Sequence, residues 1–134
     1  MTPHEIVTAP NLAEPVGFAH AVVATPGRTV YLGGQTAQGQ DGTIVGTTLV
    51  EQFDVAASNV VAALTAAGAT PDSLVSLVIY TTSVSEYRRS LSELGPLWRK
   101  HFGRHYPAVA LLGVTELFDE AAKIELIGTA VIPA

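Results

Sequence analysis

At 134 residues, with 48% hydrophobic residues, the chain can form one domain (residues 1–134) around a genuine hydrophobic core. Charged residues make up 14%, against roughly 25% in ordinary soluble domains, so subunit association is expected to hide part of the surface. A formal net charge of −5 argues against nucleic acid or membrane as partner, and the lack of cysteine excludes disulfides, thiolate nucleophiles and thiolate metal sites.

Phe18 to Thr25 and Thr29 to Gln35 read as strands joined by a hairpin-like turn at Pro26-Gly27-Arg28. A second turn at Gly39-Gln40-Asp41-Gly42 precedes a short strand candidate, Thr43-Ile44-Val45. From Leu49 to Ala67, Phe53, Ala57, Val60, Val61 and Leu64 recur at helical spacing. Thr48 and Glu51 have the spacing of a capping box, and Gly68 with Pro71 ends the helix. Leu74 to Thr82 is almost continuously apolar, as in a strand covered on both faces.

A second helix is expected from Ser85 to Phe102, with Tyr87, Leu91, Leu94, Trp98 and Phe102 on one side. Pro96 predicts either a kink near Ser92 or two short helices broken at Gly95-Pro96. Ala108 to Val114 and Lys123 to Ile132 complete the strands. In the last, Ile124, Leu126, Ala130 and Ile132 share one face, while Lys123, Glu125, Ile127, Thr129 and Val131 share the other. Two helices cover only one face of such a sheet. Leaving even about 400 Å² of the other apolar face wet would forgo roughly 10 kcal/mol, which points to a closed homo-oligomer.

No nucleophile elbow, Walker loop or His-Glu-x-x-His motif is present. Gly33-Gly34 leads into a loop rather than a helix, so it suits close approach of a backbone or ligand better than a phosphate cradle. His4, His20, His101 and His105 lack tight ligand spacing, and no metal site is expected. Arg88, Arg89, Arg99, Lys100 and Arg104 are diluted by Glu86 and Glu93 and read as a solvated face. The start, Met1-Thr2-Pro3-His4-Glu5, has no signal-peptide character, and no apolar run reaches the roughly 18 residues of a membrane span; a cytoplasmic protein is expected.

Four stretches carry a resemblance: Phe18-Ala19-His20-Ala21-Val22, Val30-Tyr31-Leu32-Gly33-Gly34-Gln35, His105-Tyr106-Pro107-Ala108-Val109-Ala110-Leu111 and Ala122-Lys123-Ile124-Glu125-Leu126. In order and spacing, from about Val7 to the C-terminus, they resemble the YjgF/RidA family of small trimeric imine and enamine hydrolases. The resemblance implies an α+β fold, chorismate-mutase-like or ferredoxin-like, with a mixed sheet and two helices on one face. It also implies a homotrimer with a pocket at each subunit boundary, and no metal or organic cofactor.

By the same resemblance Glu125 orients the attacking water, with a salt bridge to Lys123 or to a neighbour's arginine as its plainer alternative, and Gly33 and Gly34 form the pocket wall. His20 stands at the family's glutamine as a candidate acid or base, Phe18 replaces a tyrosine, and Ala110 replaces a serine. Val109 replaces the arginine that grips the substrate carboxylate. Arg104, Arg28 or Lys123 could restore the charge and Tyr106 the hydroxyl. The expected function is hydrolysis of an imine or enamine other than the usual 2-imino acids. The alternative is a non-catalytic trimer binding a small apolar or aromatic metabolite. A nuclease or translation-inhibitor role fits the acidic balance poorly.

Overall fold

The change from helical to alternating periodicity along the chain marks real element boundaries in the computed structural model, which describes residues 1–134. The strands are β1 (Glu5–Val7), β2 (Ala21–Val23), β3 (Gly27–Tyr31), β4 (Leu74–Thr81), β5 (Ala108–Gly113) and β6 (Ile124–Pro133). The helices are α1 (Leu49–Ala66), α2 (Val84–Arg89) and α3 (Leu91–Phe102). Four strands form a mixed sheet in the order β3-β6-β4-β5, antiparallel except for the β4-β5 pair, while β1 and β2 form a separate antiparallel pair.

The parallel β4-β5 pair follows from the helical crossover between those strands. That crossover and α1 cover one face of the sheet. Phe53, Val60 and Leu64 of α1, with Leu94, Trp98 and Phe102 of α3, are buried in one cluster with Leu74, Leu77, Ile79, Ile124 and Leu126. The opposite face keeps Tyr31, Leu112 and Ile127 exposed, at 81%, 46% and 36%. Val131, expected on that face, is buried at 7%; it lies beyond the bulge at Leu74/Ser76, where the ladder between β4 and β6 shifts.

The α1 capping box forms as expected: Glu51 N–H donates to Thr48 Oγ1 at 3.1 Å, and Thr48 N–H donates to Glu51 Oε1 at 3.0 Å. Gly68 takes a φ of +82°, which leaves Ala69 N–H free to close back on Leu64 O at 2.8 Å.

Four expectations are corrected. The Pro26-Gly27-Arg28 hairpin does not exist, because β2 pairs with β1 and Gly27 already lies in β3 opposite Pro133. Phe18 to His20 lie outside any strand, and Thr43–Val45 reduces to one bridge between Gln38 and Ile44. The second helix breaks at Ser90, not at Gly95-Pro96 or Ser92. There Ser90 Oγ donates to Glu86 O at 2.8 Å and closes α2, while Pro96 sits inside α3. The helical cover of the sheet therefore has three segments.

Candidate functional site

Beyond Tyr31 the chain still follows β6. Leu32 N–H donates to Gly128 O at 3.0 Å, and Gln35 exchanges two bonds with Leu126, at 2.8 and 2.9 Å. Gly33 and Gly34 together therefore oppose the single residue Ile127, and the extra residue makes a β-bulge. A Cβ on Gly34 would run into the Glu125 carboxylate, whose Cδ lies 2.9 Å from that point. Only glycine lets the backbone come this close. The same device at Gly33 would meet open space.

Glu125 stands on the sheet face that the helices leave bare, in register with Tyr80 of β4, which in turn pairs with Leu112 of β5. Its carboxylate makes no hydrogen bond or ion pair within the chain, and no buried polar side-chain atom anywhere in the chain lacks a partner. The alternative partner, Lys123, is engaged elsewhere: its Nζ lies 2.9 Å from Glu86 Oε1. Glu86 Oε2 also accepts Leu49 N–H at 2.8 Å, and that backbone bond, then Lys123, holds the Glu86 carboxyl below the ordinary carboxylate range.

Val109 points the other way. It pairs with the buried Leu77 and packs against the core beneath α3, whereas its neighbour Ala110 pairs with Val78 on the Glu125 face. With Phe18, Tyr87, Leu91, Trp98 and Tyr106, Val109 lines a cleft of about 700 Å³ that contains no charged side chain. Tyr106 stacks on Trp98 with ring centres 5.5 Å apart and planes within 4°. Trp98 Nε1 donates to His105 O at 3.1 Å. Burial pushes the Tyr87 phenol above its ordinary pKa, so it stays neutral.

None of the three cations named as substitutes lines this cleft. Arg104 is exposed and lines a second cleft of about 620 Å³, alongside Asp72. Arg28 lies in β3 opposite Ile132, across the sheet from β5. His20 is tied to the loop before it. Its Nδ1 accepts Ala9 N–H at 3.0 Å, so Nε2 carries the proton and donates to Ala13 O at 2.9 Å. Both nitrogens are thus spent on backbone within the chain. His101 and His105 separate, with Nε2 of the first 2.6 Å from Asp54 Oδ1 and Nε2 of the second 2.7 Å from Leu74 O.

The two faces of the sheet therefore divide the candidate residues. Glu125, Gly33, Gly34 and Ala110 belong to the bare face, and Phe18, Tyr106 and Val109 to the helix-side cleft. Tyr87, Leu91 and Trp98 read from sequence as helix stripe alone, and nothing in their spacing marks them as a cleft wall. Tyr80 was legible only through the pairing of β4 with β6.

A family model described as Endoribonuclease L-PSP matches residues 9–132. The chain belongs to this family, the YjgF/RidA or Rid proteins. The Rid protein YyfB of Yersinia pestis is 28% identical and superposes with a TM-score of 0.87, over 96% of this chain and 98% of that one. A YjgF/YER057c/UK114 family member from Mycobacterium tuberculosis is also 28% identical, with a TM-score of 0.65 over 87% of this chain and 88% of that one. YyfA of Yersinia pestis, at 23% identity and a TM-score of 0.67 over 96% of this chain and 99% of that one, shares the fold. No curated protein matches the chain significantly.

Proposed function

We propose that this Rid-family protein is a homotrimer whose small-molecule pockets lie between subunits, and that it hydrolyses an imine or enamine other than the usual 2-imino acids. The observation that carries the reading is the Glu125 carboxylate, pressed against a glycine bulge on the uncovered sheet face and without a partner inside its own subunit. A second copy laid on that face buries Ile127, Leu112 and Tyr31 and brings its own helix-side cleft to the Glu125 of the first. No helix is long and apolar enough to cross a membrane.

The chemistry needs one proton acceptor that later returns the proton. Glu125 takes a proton from water as the oxygen attacks the imine carbon and returns it to the imine nitrogen, which becomes the amine of a neutral tetrahedral adduct. Glu125 then takes the hydroxyl proton of that adduct and delivers it to the amine, ammonia leaves, and a carbonyl remains, so the sum is imine plus water to carbonyl plus ammonia. An enamine first tautomerises to the imine. The exposed backbone of the Gly33-Gly34 bulge supplies a contact for the substrate. Without an arginine at position 109, a carboxylate on the substrate loses a bidentate partner worth on the order of 3 kcal/mol, about 100-fold in rate.

Ammonia release from short-lived imines tests this directly. Glu125→Gln is expected to lower turnover at least about 100-fold while the oligomer stays intact. Release from 2-imino acids at the rate of an arginine-bearing Rid protein would overturn the altered specificity. The second reading, a non-catalytic binder, is favoured by the uncharged cleft beside Val109. It prevails if wild type and Glu125→Gln release ammonia at the same background rate.

A further inference from the structure

The cleft beside Val109 contains no ionisable side chain other than tyrosine, and its walls come from three parts of the chain. Phe18 belongs to the loop before β2, Tyr87 and Leu91 to the α2-α3 junction, and Tyr106 and Val109 to the approach and body of β5. Its volume of about 700 Å³ lies inside the roughly 300–1,000 Å³ range of small-molecule pockets. The aromatic floor has fixed geometry. Trp98 is buried, its ring lies parallel to Tyr106, and its only donor is already spent on His105 O, so it offers a π surface and nothing polar.

The phenols of Tyr87 and Tyr106 have no hydrogen-bond partner in the subunit, and neither hydroxyl is sealed from solvent. We propose that this cleft selects an uncharged aromatic group carrying one hydrogen-bonding function, such as an amide, carbonyl or imine nitrogen, which the Tyr87 and Tyr106 hydroxyls hold while the ring packs on the aromatic floor. A carboxylate entering the same space would lose its water and meet no cation. This names the substrate class of the pocket proposed above and rests on that reading for its role in catalysis, though ligand binding itself does not require turnover.

A matched pair of probes separates the possibilities: phenylacetamide and phenylacetate share a ring and a spacer and differ in charge. Trp98 is the chain's single tryptophan, so its fluorescence reports occupancy at the cleft floor, with calorimetry as a second readout. The intact oligomer is expected to bind phenylacetamide at least about tenfold more tightly than phenylacetate. Tyr87→Phe should weaken the amide about fivefold, and Val109→Arg should reverse the ranking of the two probes.

A wild type that shows the amide preference but releases no more ammonia than Glu125→Gln speaks against the hydrolytic reading alone. Equal or tighter binding of phenylacetate by the wild type overturns the proposal. So does the absence of saturable binding by either probe.

Discussion

At the scale of single residues, the contact between Gly34 and Glu125 controls the site. The methyl group of an alanine at 34 would occupy the space of the Glu125 carboxylate, whereas the same group at 33 has open space around it. Neither glycine has a positive φ, so the distinction is steric rather than conformational. Gly34→Ala is therefore expected to lower turnover or ligand affinity about tenfold by displacing the carboxylate, and Gly33→Ala to lower it less. Equal losses in the two variants, measured on proteins of matched thermal stability, would remove Gly34 from its assigned role. The pairing of the glycines was legible in the chain. Their partner was not, because a bulge shifts register by one residue and no local pattern announces which side chain then lies opposite.

At the scale of elements, α1 begins where three segments meet. Glu86 of α2 accepts the first N–H of α1 at Leu49 and binds Lys123 just before β6, in addition to the local box of Thr48 and Glu51. The sequence showed the local cap because its partners are three residues apart. The clasp by Glu86 spans 37 residues to either side and emerges only from the fold. The break at Ser90 was hidden for a related reason: Pro96 is the strong local signal, yet a serine hydroxyl turned onto Glu86 O ends α2 first.

The Glu86 carboxyl is held below the ordinary glutamate range, so its contribution is complete above that range and is lost as pH falls through the lower folded value. Glu86→Gln should cost about 1 kcal/mol at neutral pH. In thermal melts from pH 7 to pH 3, the variant should lose less stability than wild type in the acid limb. Parallel pH profiles would show that Glu86 is not part of the clasp.

At the scale of the whole molecule, a sheet covered on one side only leaves Tyr31, Leu112 and Ile127 exposed. The family and the α+β sandwich were legible through the order of four short motifs and the two amphipathic stretches. The division of the site was not, because the matching of motifs treats Glu125 and Val109 as neighbours in one pocket. The pleat of the sheet places them on opposite faces of each subunit. A pocket containing both must then draw Glu125 from one copy and the Val109 cleft from another.

Subunit mixing tests that claim most directly. Glu125→Gln removes the carboxylate, and Val109→Trp fills the cleft, so each variant alone should be inactive on an imine that the wild type hydrolyses. Unfolding the two together in equal amounts and refolding them should restore about one quarter of wild-type turnover, the share of interfaces that receive both intact halves by random assortment. Mixed oligomers that form and yet stay at the background of the separate variants would contradict a site shared between copies.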